Sequence, residues 1–237
     1  MSANDEGRQP IMMALDGLSQ RLGHRWALRG VTARVARGEL VAITGHNGSG
    51  KTTMLRVIAT ALSPTRGEGR VCGHDIRRDP DAVRRVTTFL SHSGGMYGEL
   101  TAAENLAFML RMVGARVDHR LMDALDWAGL LSAAHARVRT FSSGMQRRLS
   151  LAAVWLRRTP LVLMDEPYNS LDDAGASLID ELLARTAADG GAALVALHDR
   201  GRGGIAFDRV LELRQGMLAG TSAPSMHVPL FAMGGAQ

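Results

Sequence analysis

The sequence predicts an α/β fold: a parallel sheet core, an antiparallel β subdomain ahead of it, and an α-helical subdomain inserted into it. Three observations carry this. The short, fully apolar runs Leu40-Val41-Ala42-Ile43, Leu161-Val162-Leu163-Met164 and residues 192–197 alternate with segments of helical period, the pattern of buried parallel strands joined by helical crossovers. Before residue 36 the apolar residues alternate instead, as in half-buried antiparallel strands. From residue 101 to about 158 the period is helical throughout.

Taken in order, residues 1–13 are expected to be a loose tail. Residues 14–18 and 27–35 read as strands joined by a turn at Gly23-His24, and Arg37-Gly38 leads into the strand at 40–43. A glycine-rich stretch follows, and then Met54, Leu55, Val57, Ile58, Ala61 and Leu62 set a helix that Ser63-Pro64 stops. Gly67-Glu68-Gly69 is expected to turn the chain into a short strand at 70–72; residues 84–90 read as another strand and 92–98 as a loop. Thr101-Ala102-Ala103-Glu104 is a capping box that starts a helix with Leu106, Met109, Leu110 and Val113 on one face, and residues 117–130 and 144–156 repeat that spacing. The helical insertion therefore spans about residues 99–158. Pro160 introduces the strand at 161–164, a helix is expected over 174–187, and 210–213 with 217–219 closes as a hairpin around Gln215-Gly216. Residues 14–222 form one domain on this reading, with 223–237 a second loose tail.

A chain of 237 residues, 46% of them hydrophobic, can bury a full core. Its apolar runs fall well short of the roughly 18 residues that span a bilayer, and its first ten residues are polar, so neither a spanning segment nor a secretory leader is expected. The single cysteine, Cys72, excludes an internal disulfide and fits a reducing compartment, as a small buried side chain. A net charge of +5 admits nucleic acid or an acidic membrane surface as partner. The bases, however, come as scattered pairs (Arg77-Arg78, Arg84-Arg85, Arg147-Arg148, Arg157-Arg158), and 4% aromatic residues leave few stacking platforms. A solvated arginine face that favours an anionic leaflet is expected, not a nucleic-acid surface.

The chemistry concentrates at the ends of the apolar strands. Gly45-His46-Asn47-Gly48-Ser49-Gly50-Lys51-Thr52-Thr53 fits G-x4-G-K-[ST] between a strand and a helix. Glycines let successive N–H groups converge and the helix N-terminus adds positive partial charge, so the stretch reads as a cradle for a triphosphate. Lys51 reaches the β- and γ-phosphates on this reading, and the Thr52 hydroxyl ligates Mg²⁺. Lys51 is the only lysine in the chain, the other 27 strong bases being arginine. A flexible point charge is thus kept at the one place where a phosphate calls for it. Asp165 and Glu166 end the strand at 161–164: Asp165 is the expected metal-side carboxylate, and Glu166 the group that polarises the attacking water or takes its proton. His198 ends the next strand on the same sheet edge, where a neutral imidazole can donate to the γ-phosphate.

The phosphate loop, Phe141-Ser142-Ser143-Gly144-Met145, Leu163-Met164-Asp165-Glu166-Pro167, Ser170-Leu171-Asp172 and Leu197-His198-Asp199 stand in an order that resembles the ATP-binding-cassette ATPases over about residues 14–220. The resemblance implies a phosphate-loop, RecA-like core that hydrolyses ATP with Mg²⁺, and a sandwich of two such domains, a homodimer or a heterodimer, around two ATP molecules. It places Ser142, Ser143, Gly144 and Met145 against the ATP held by the second copy, with Asp172 at the seam; Ser143 and Met145 replace the commoner glycine and glutamine. It also implies integral membrane subunits as partners, riding on the helical insertion, and a peripheral place on the cytoplasmic face of the membrane. Two departures stand out. His92 occupies the position of a glutamine that touches Mg²⁺ and water, so it is a further metal candidate and hydrolysis is expected to be weaker or pH-sensitive. Leu22 aligns with the aromatic residue that stacks on adenine, with Trp26 offset, so base stacking is expected to be weak.

Within the family, Trp26-Ala27-Leu28-Arg29-Gly30, Met96-Tyr97-Gly98-Glu99-Leu100-Thr101-Ala102-Ala103-Glu104-Asn105-Leu106 and Ser142-Ser143-Gly144-Met145 resemble the haem-exporter ATPases of cytochrome c biogenesis. Drug and polysaccharide exporters share much of this wording and stay open as alternatives. Two further readings remain: a soluble cassette ATPase acting on ribosomes or DNA, although such chains carry paired cassettes or coiled-coil insertions, and a regulatory cassette of low turnover. A phosphate-loop kinase has no use for residues 142–145 or His198. The cargo and its direction belong to other chains.

Overall fold

The computed structural model describes residues 10–91, 95–169, 171–197 and 204–222. Strand β1 (Ile11–Leu22) turns at Gly23-His24 into β2 (Arg25–Ala36), and the two pair antiparallel from Ile11↔Ala36 to Leu22↔Arg25. Their alternation buries Met13, Leu15, Leu18, Leu28, Val31 and Val35 on one face. Sheet begins at Ile11, so the expected tail gives way before residue 14, and Pro10 O already accepts from Arg37 N at 2.8 Å. β3 (Leu40–Thr44) then starts the second sheet, and α1 (Lys51–Ile58) follows the glycine-rich loop.

Helix α1 ends a turn before the expected stop. Thr60 sits at φ +58°, and both Ala61 N and Leu62 N return to Arg56 O, which uses up the carbonyl a continuing helix needs. Residues 67–69 also differ from expectation, because they lie inside β4 (Arg66–Val71) and do not form a turn. Glycine is needed at residue 67, where φ is +82° and a Cβ would lie 2.4 Å from Gly17 O, while Gly69 lets the Ile76 Cδ1 methyl pack directly over the strand. β4 pairs with β1 and with the short β5 (His74–Asp75), giving a sheet of order β2-β1-β4-β5.

The expected strand at 84–90 is a helix followed by a strand: α2 (Pro80–Val86) and β6 (Thr87–Leu90). Pro80 opens α2 at its first turn, and seven residues burying only Val83 are too short to show a helical period. The insertion consists of α3 (Ala102–Met112), α4 (Arg120–Trp127) and α5 (Ser143–Arg157), with two short 3-10 turns at Leu131–Ala133 and Val138–Thr140. The Thr101/Glu104 capping box forms as read. α4 starts later than residue 117, since Asp118 accepts from Arg120 N at 3.1 Å and closes a local turn first.

β7 (Leu161–Asp165), α6 (Asp173–Ala188), β8 (Ala192–Ala196), β9 (Arg209–Arg214) and β10 (Met217–Ser222) complete the chain. The six-stranded sheet has the order β10-β9-β3-β8-β7-β6, parallel from β9 to β6, with β10 antiparallel at the edge as the predicted hairpin. β7 and β8 are buried at every residue, which explains their unbroken apolar runs. One face of the sheet packs on α1 and the β subdomain, the other on α5 and α6. α3, α4 and α5 hold a separate core. α5 belongs to both: Leu151 and Val154 face the sheet, Leu149, Ala153 and Leu156 the insertion.

Candidate functional site

β3 ends directly in the loop 45–50 and α1 begins at Lys51, so the loop lies beyond the carboxyl ends of the parallel strands, where open α/β sheets bind ligands. Two of its glycines are fixed by contact. A Cβ on Gly45 would lie 2.2 Å from Leu213 O, and one on Gly50, at φ +113°, 2.6 Å from Ala27 O. Gly50 caps α1 without a side-chain hydrogen bond, which leaves first-turn N–H groups for a ligand. Lys51 is buried and its Nζ donates back to Gly45 O and, at 3.4 Å, to His46 O, so the lone lysine spans the loop from within. Ser49 is 1% exposed and its hydroxyl has no hydrogen-bond partner among the described residues.

A cavity of about 360 Å³ opens over this loop, lined by Asn47, Gly48, Ser49, Gly50, Lys51, Thr52 and Thr53 on one side, and by Glu166, Leu22, Arg25, Trp26 and Ala27 on the other. Leu22 and Trp26, four residues apart across the β1–β2 turn, both line this cavity. The Arg66 guanidinium lies 5.5 Å from the Trp26 ring centroid.

Asp165 is the last residue of β7 and only 3% exposed, whereas Glu166 turns into the cavity. The turn is abrupt, with Glu166 at φ +47°. Its N–H donates to Ala196 O at 2.9 Å, and its Oε2 accepts from Asn169 Nδ2 at 2.8 Å. Thr52 and Asp165 offer a hydroxyl and a carboxylate, hard oxygens of the kind Mg²⁺ takes alongside phosphate oxygens. His92 and His198, like Ser170, lie outside the described residues.

Ser142, Ser143, Gly144, Met145 and Asp172 do not line this cavity. Ser142 caps α5, its Oγ accepting from Met145 N at 3.2 Å, and Asp172 caps α6, accepting from Gly175 N at 2.9 Å. Arg148, on the second turn of α5, ties that helix to the cap of α6, its Nη2 3.0 Å from each Asp172 oxygen. The Gly175 N–H and then Arg148 hold the Asp172 carboxyl below the ordinary range.

Reading Arg147-Arg148 as part of a solvated face is corrected: Arg147 is 7% exposed, and its guanidinium meets the carbonyls of Ser91, Glu166 and Pro167. Burial lowers its affinity for the proton, and Asp165 works in the opposite direction. Helical spacing carried the signal, since residues 147, 151 and 154 share the sheet-facing side of α5. Cys72 is half-buried and burial pushes its thiol upward, as expected of a packing role.

A phosphate loop after β3 at the head of a parallel sheet, with a carboxylate pair at the end of β7 on the far side of β8, defines a nucleoside-triphosphatase. Residues 28–169 match the family model described as ABC transporter. Two proteins named cytochrome c biogenesis ATP-binding export protein CcmA are 40% identical: that of Bordetella bronchiseptica over 86% of this chain and 90% of its own length, and CcmA 2 of Cupriavidus metallidurans over 77% and 87%. A solved ATP-binding subunit of an ABC transporter superposes with a TM-score of 0.82 at 26% identity, covering 90% of each chain. A dimeric ATP-binding cassette in a post-hydrolysis state with ADP and phosphate superposes at 0.80 and 26%, covering 93% of this chain and all of that one. The chain belongs to the ABC transporter family, as an ATP-binding and ATP-hydrolysing subunit. Among the described residues, no helix is long and apolar enough to cross a membrane.

Proposed function

We propose that the chain is the motor subunit of an exporter serving cytochrome c biogenesis, with haem as cargo, held on the cytoplasmic face of the membrane by separate integral membrane subunits. The observation carrying this reading is the 40% identity to the cytochrome c biogenesis export ATPases over most of both chains. Two copies close on two ATP molecules. Lys51 leaves the carbonyls of Gly45 and His46 for the β- and γ-phosphates, and residues 45–53 wrap the phosphate chain. Thr52 and Asp165 hold Mg²⁺, which neutralises phosphate charge when bound. Glu166 accepts a proton from the water whose oxygen attacks the γ-phosphorus as the bond to the bridging oxygen breaks. By family resemblance His198 would steady the γ-phosphate, and His92 is a further candidate ligand for the metal or the water. Leu22 and Trp26 flank the base. Ser142 to Met145, at the head of α5, face the partner's γ-phosphate, with Asp172 at the seam.

The test uses the full chain and its Glu166→Gln variant. ATP is expected to trap Glu166→Gln as a dimer on size exclusion, with turnover at least about 100-fold below wild type, a loss in the range usual for removing a positioned base. The absence of both an ATP-dependent dimer and wild-type turnover would overturn the motor reading. In the source organism, deletion of the gene should abolish holo-cytochrome c, and wild type but not Glu166→Gln should restore it. Undiminished holo-cytochrome c in the deletion strain would refute the cargo assignment.

A further inference from the structure

Arg147 is a buried cation that the reaction described above does not use. It stands on the second turn of α5, one residue before the arginine that ties α5 to Asp172. Its Nη1 donates to Ser91 O at 2.9 Å, its Nε to Pro167 O at 3.2 Å and its Nη2 to Glu166 O at 3.3 Å. Only a planar fork on a long stem can serve three carbonyls from two separate segments at once. Taking a guanidinium out of water is costly; the Asp165 carboxylate offsets part of that cost, and these charge-assisted bonds offset more of it while the carbonyls stay where they are.

The carbonyls belong to strategic backbone. Glu166 has a left-handed conformation, which a non-glycine residue keeps only when its surroundings impose it. Ala196 O holds its N–H from the β8 side, and Arg147 holds its C=O from the α5 side. The direction of the Glu166 side chain into the cavity follows from those two holds. Ser91 directly follows β6, so the same guanidinium also ties α5 to the end of that strand.

We infer that Arg147 is a positioning residue for hydrolysis: through the carbonyls of Ser91, Glu166 and Pro167 it keeps the Glu166 carboxylate in register with helix α5. The inference rests on Glu166 being the base of the proposed reaction. Its consequence is directional coupling. The end of α5 that meets the partner's nucleotide is one turn from the side chain that sets the carboxylate of its own site, so a shift of α5 is felt at Glu166. Arg148 faces outward to the seam while Arg147 faces inward to the base.

The test compares Arg147→Met and Arg147→Lys with wild type in the full chain, reading kcat, KM for ATP and Tm, with Glu166→Gln as control. Methionine keeps length but makes no hydrogen bonds to the carbonyls; lysine keeps charge but cannot serve all three. The expected result is a kcat lowered about 10- to 100-fold in Arg147→Met, KM within about threefold of wild type, and a smaller loss in Arg147→Lys. A kcat within twofold of wild type in Arg147→Met would overturn the inference, as would equal losses in kcat and ATP affinity, which mark a merely structural role. If Arg147→Met does not fold, the same split in Arg147→Lys decides. When Glu166→Gln still traps a dimer and wild type turns over, a normal Arg147 variant refutes this inference alone. When neither occurs, the motor reading has failed and the inference falls with it.

Discussion

Replacing a single glycine of the phosphate loop separates two reasons why glycine stands there. Gly48 and Gly50 both have positive φ, +77° and +113°. A Cβ on Gly48 meets nothing within 4 Å, whereas one on Gly50 lies 2.6 Å from Ala27 O and 3.0 Å from the Cδ2 atoms of Leu28 and Leu213. Alanine at either position incurs a left-handed backbone penalty of about 1–2 kcal/mol. At Gly50 the new methyl also overlaps a backbone carbonyl of β2, which can give way only by moving the strand; overpacking of this kind costs about 1–3 kcal/mol more. Gly50→Ala is thus expected to lose about 2–5 kcal/mol and Gly48→Ala about 1–2 kcal/mol.

At about 2–4 °C per kcal/mol for a chain of this size, Gly50→Ala should lower Tm by about 4–20 °C and Gly48→Ala by about 2–8 °C. Thermal melts and urea titrations without nucleotide measure both, and equal denaturant slopes would show that the compared states are alike. Equal losses in the two variants would refute the reasoning, because backbone conformation alone would then account for glycine at residue 50 and the close approach of β2 to the loop would carry no weight.

Two further outcomes follow from polar groups outside the cavity. Asn105, fully buried on α3, accepts from Tyr97 N and donates to the carbonyls of Tyr97 and Thr101, which also accept from Leu100 N and Asn105 N; Asn105→Ala leaves Tyr97 N without its acceptor and should cost about 1–3 kcal/mol in thermal denaturation, with a loss below about 0.5 kcal/mol counting against it. Asp172 has its folded-state carboxyl below the ordinary range, so its stabilising effect is complete above the unfolded value, near pH 4, and is lost as pH falls through the lower folded value; Tm of wild type minus Asp172→Asn should therefore shrink below about pH 4, and a pH-independent difference would contradict it.

Elements that announce themselves by a local rule were legible in the sequence. The loop 45–53 needs its residue types in order, β7 and β8 are buried at every position, and Thr101 and Glu104 close a capping box within four residues. What was not legible depended on distant partners. Gly67 reads as turn chemistry, and only the backbone of Gly17 lying against it shows why a strand needs glycine there. Trp26 reads as offset from the base position in sequence, yet it lines the cavity together with Leu22. Residues 80–86 hide a helix because its single buried side chain sets no period. The tie between α5 and the α6 cap was not legible, because Arg148 lies 24 residues before the Asp172 it holds.

Helix α5 shows why a paired-arginine reading failed and why that failure is informative. Its sides are divided between two cores, Leu151 and Val154 on the sheet and Leu149, Ala153 and Leu156 on α3 and α4, so little of its circumference is left for solvent. Consecutive residues on a helix point about 100° apart. One arginine of the pair at 147–148 therefore had to turn inward wherever the other reached the Asp172 cap. A cation is retained in so apolar a place only with acceptors in reach, and the nearest backbone carbonyls are those of Ser91, Glu166 and Pro167. The division of α5 between two cores thus forces a buried charge against the backbone that aims Glu166. Helix α5 cannot shift against the sheet without disturbing that contact.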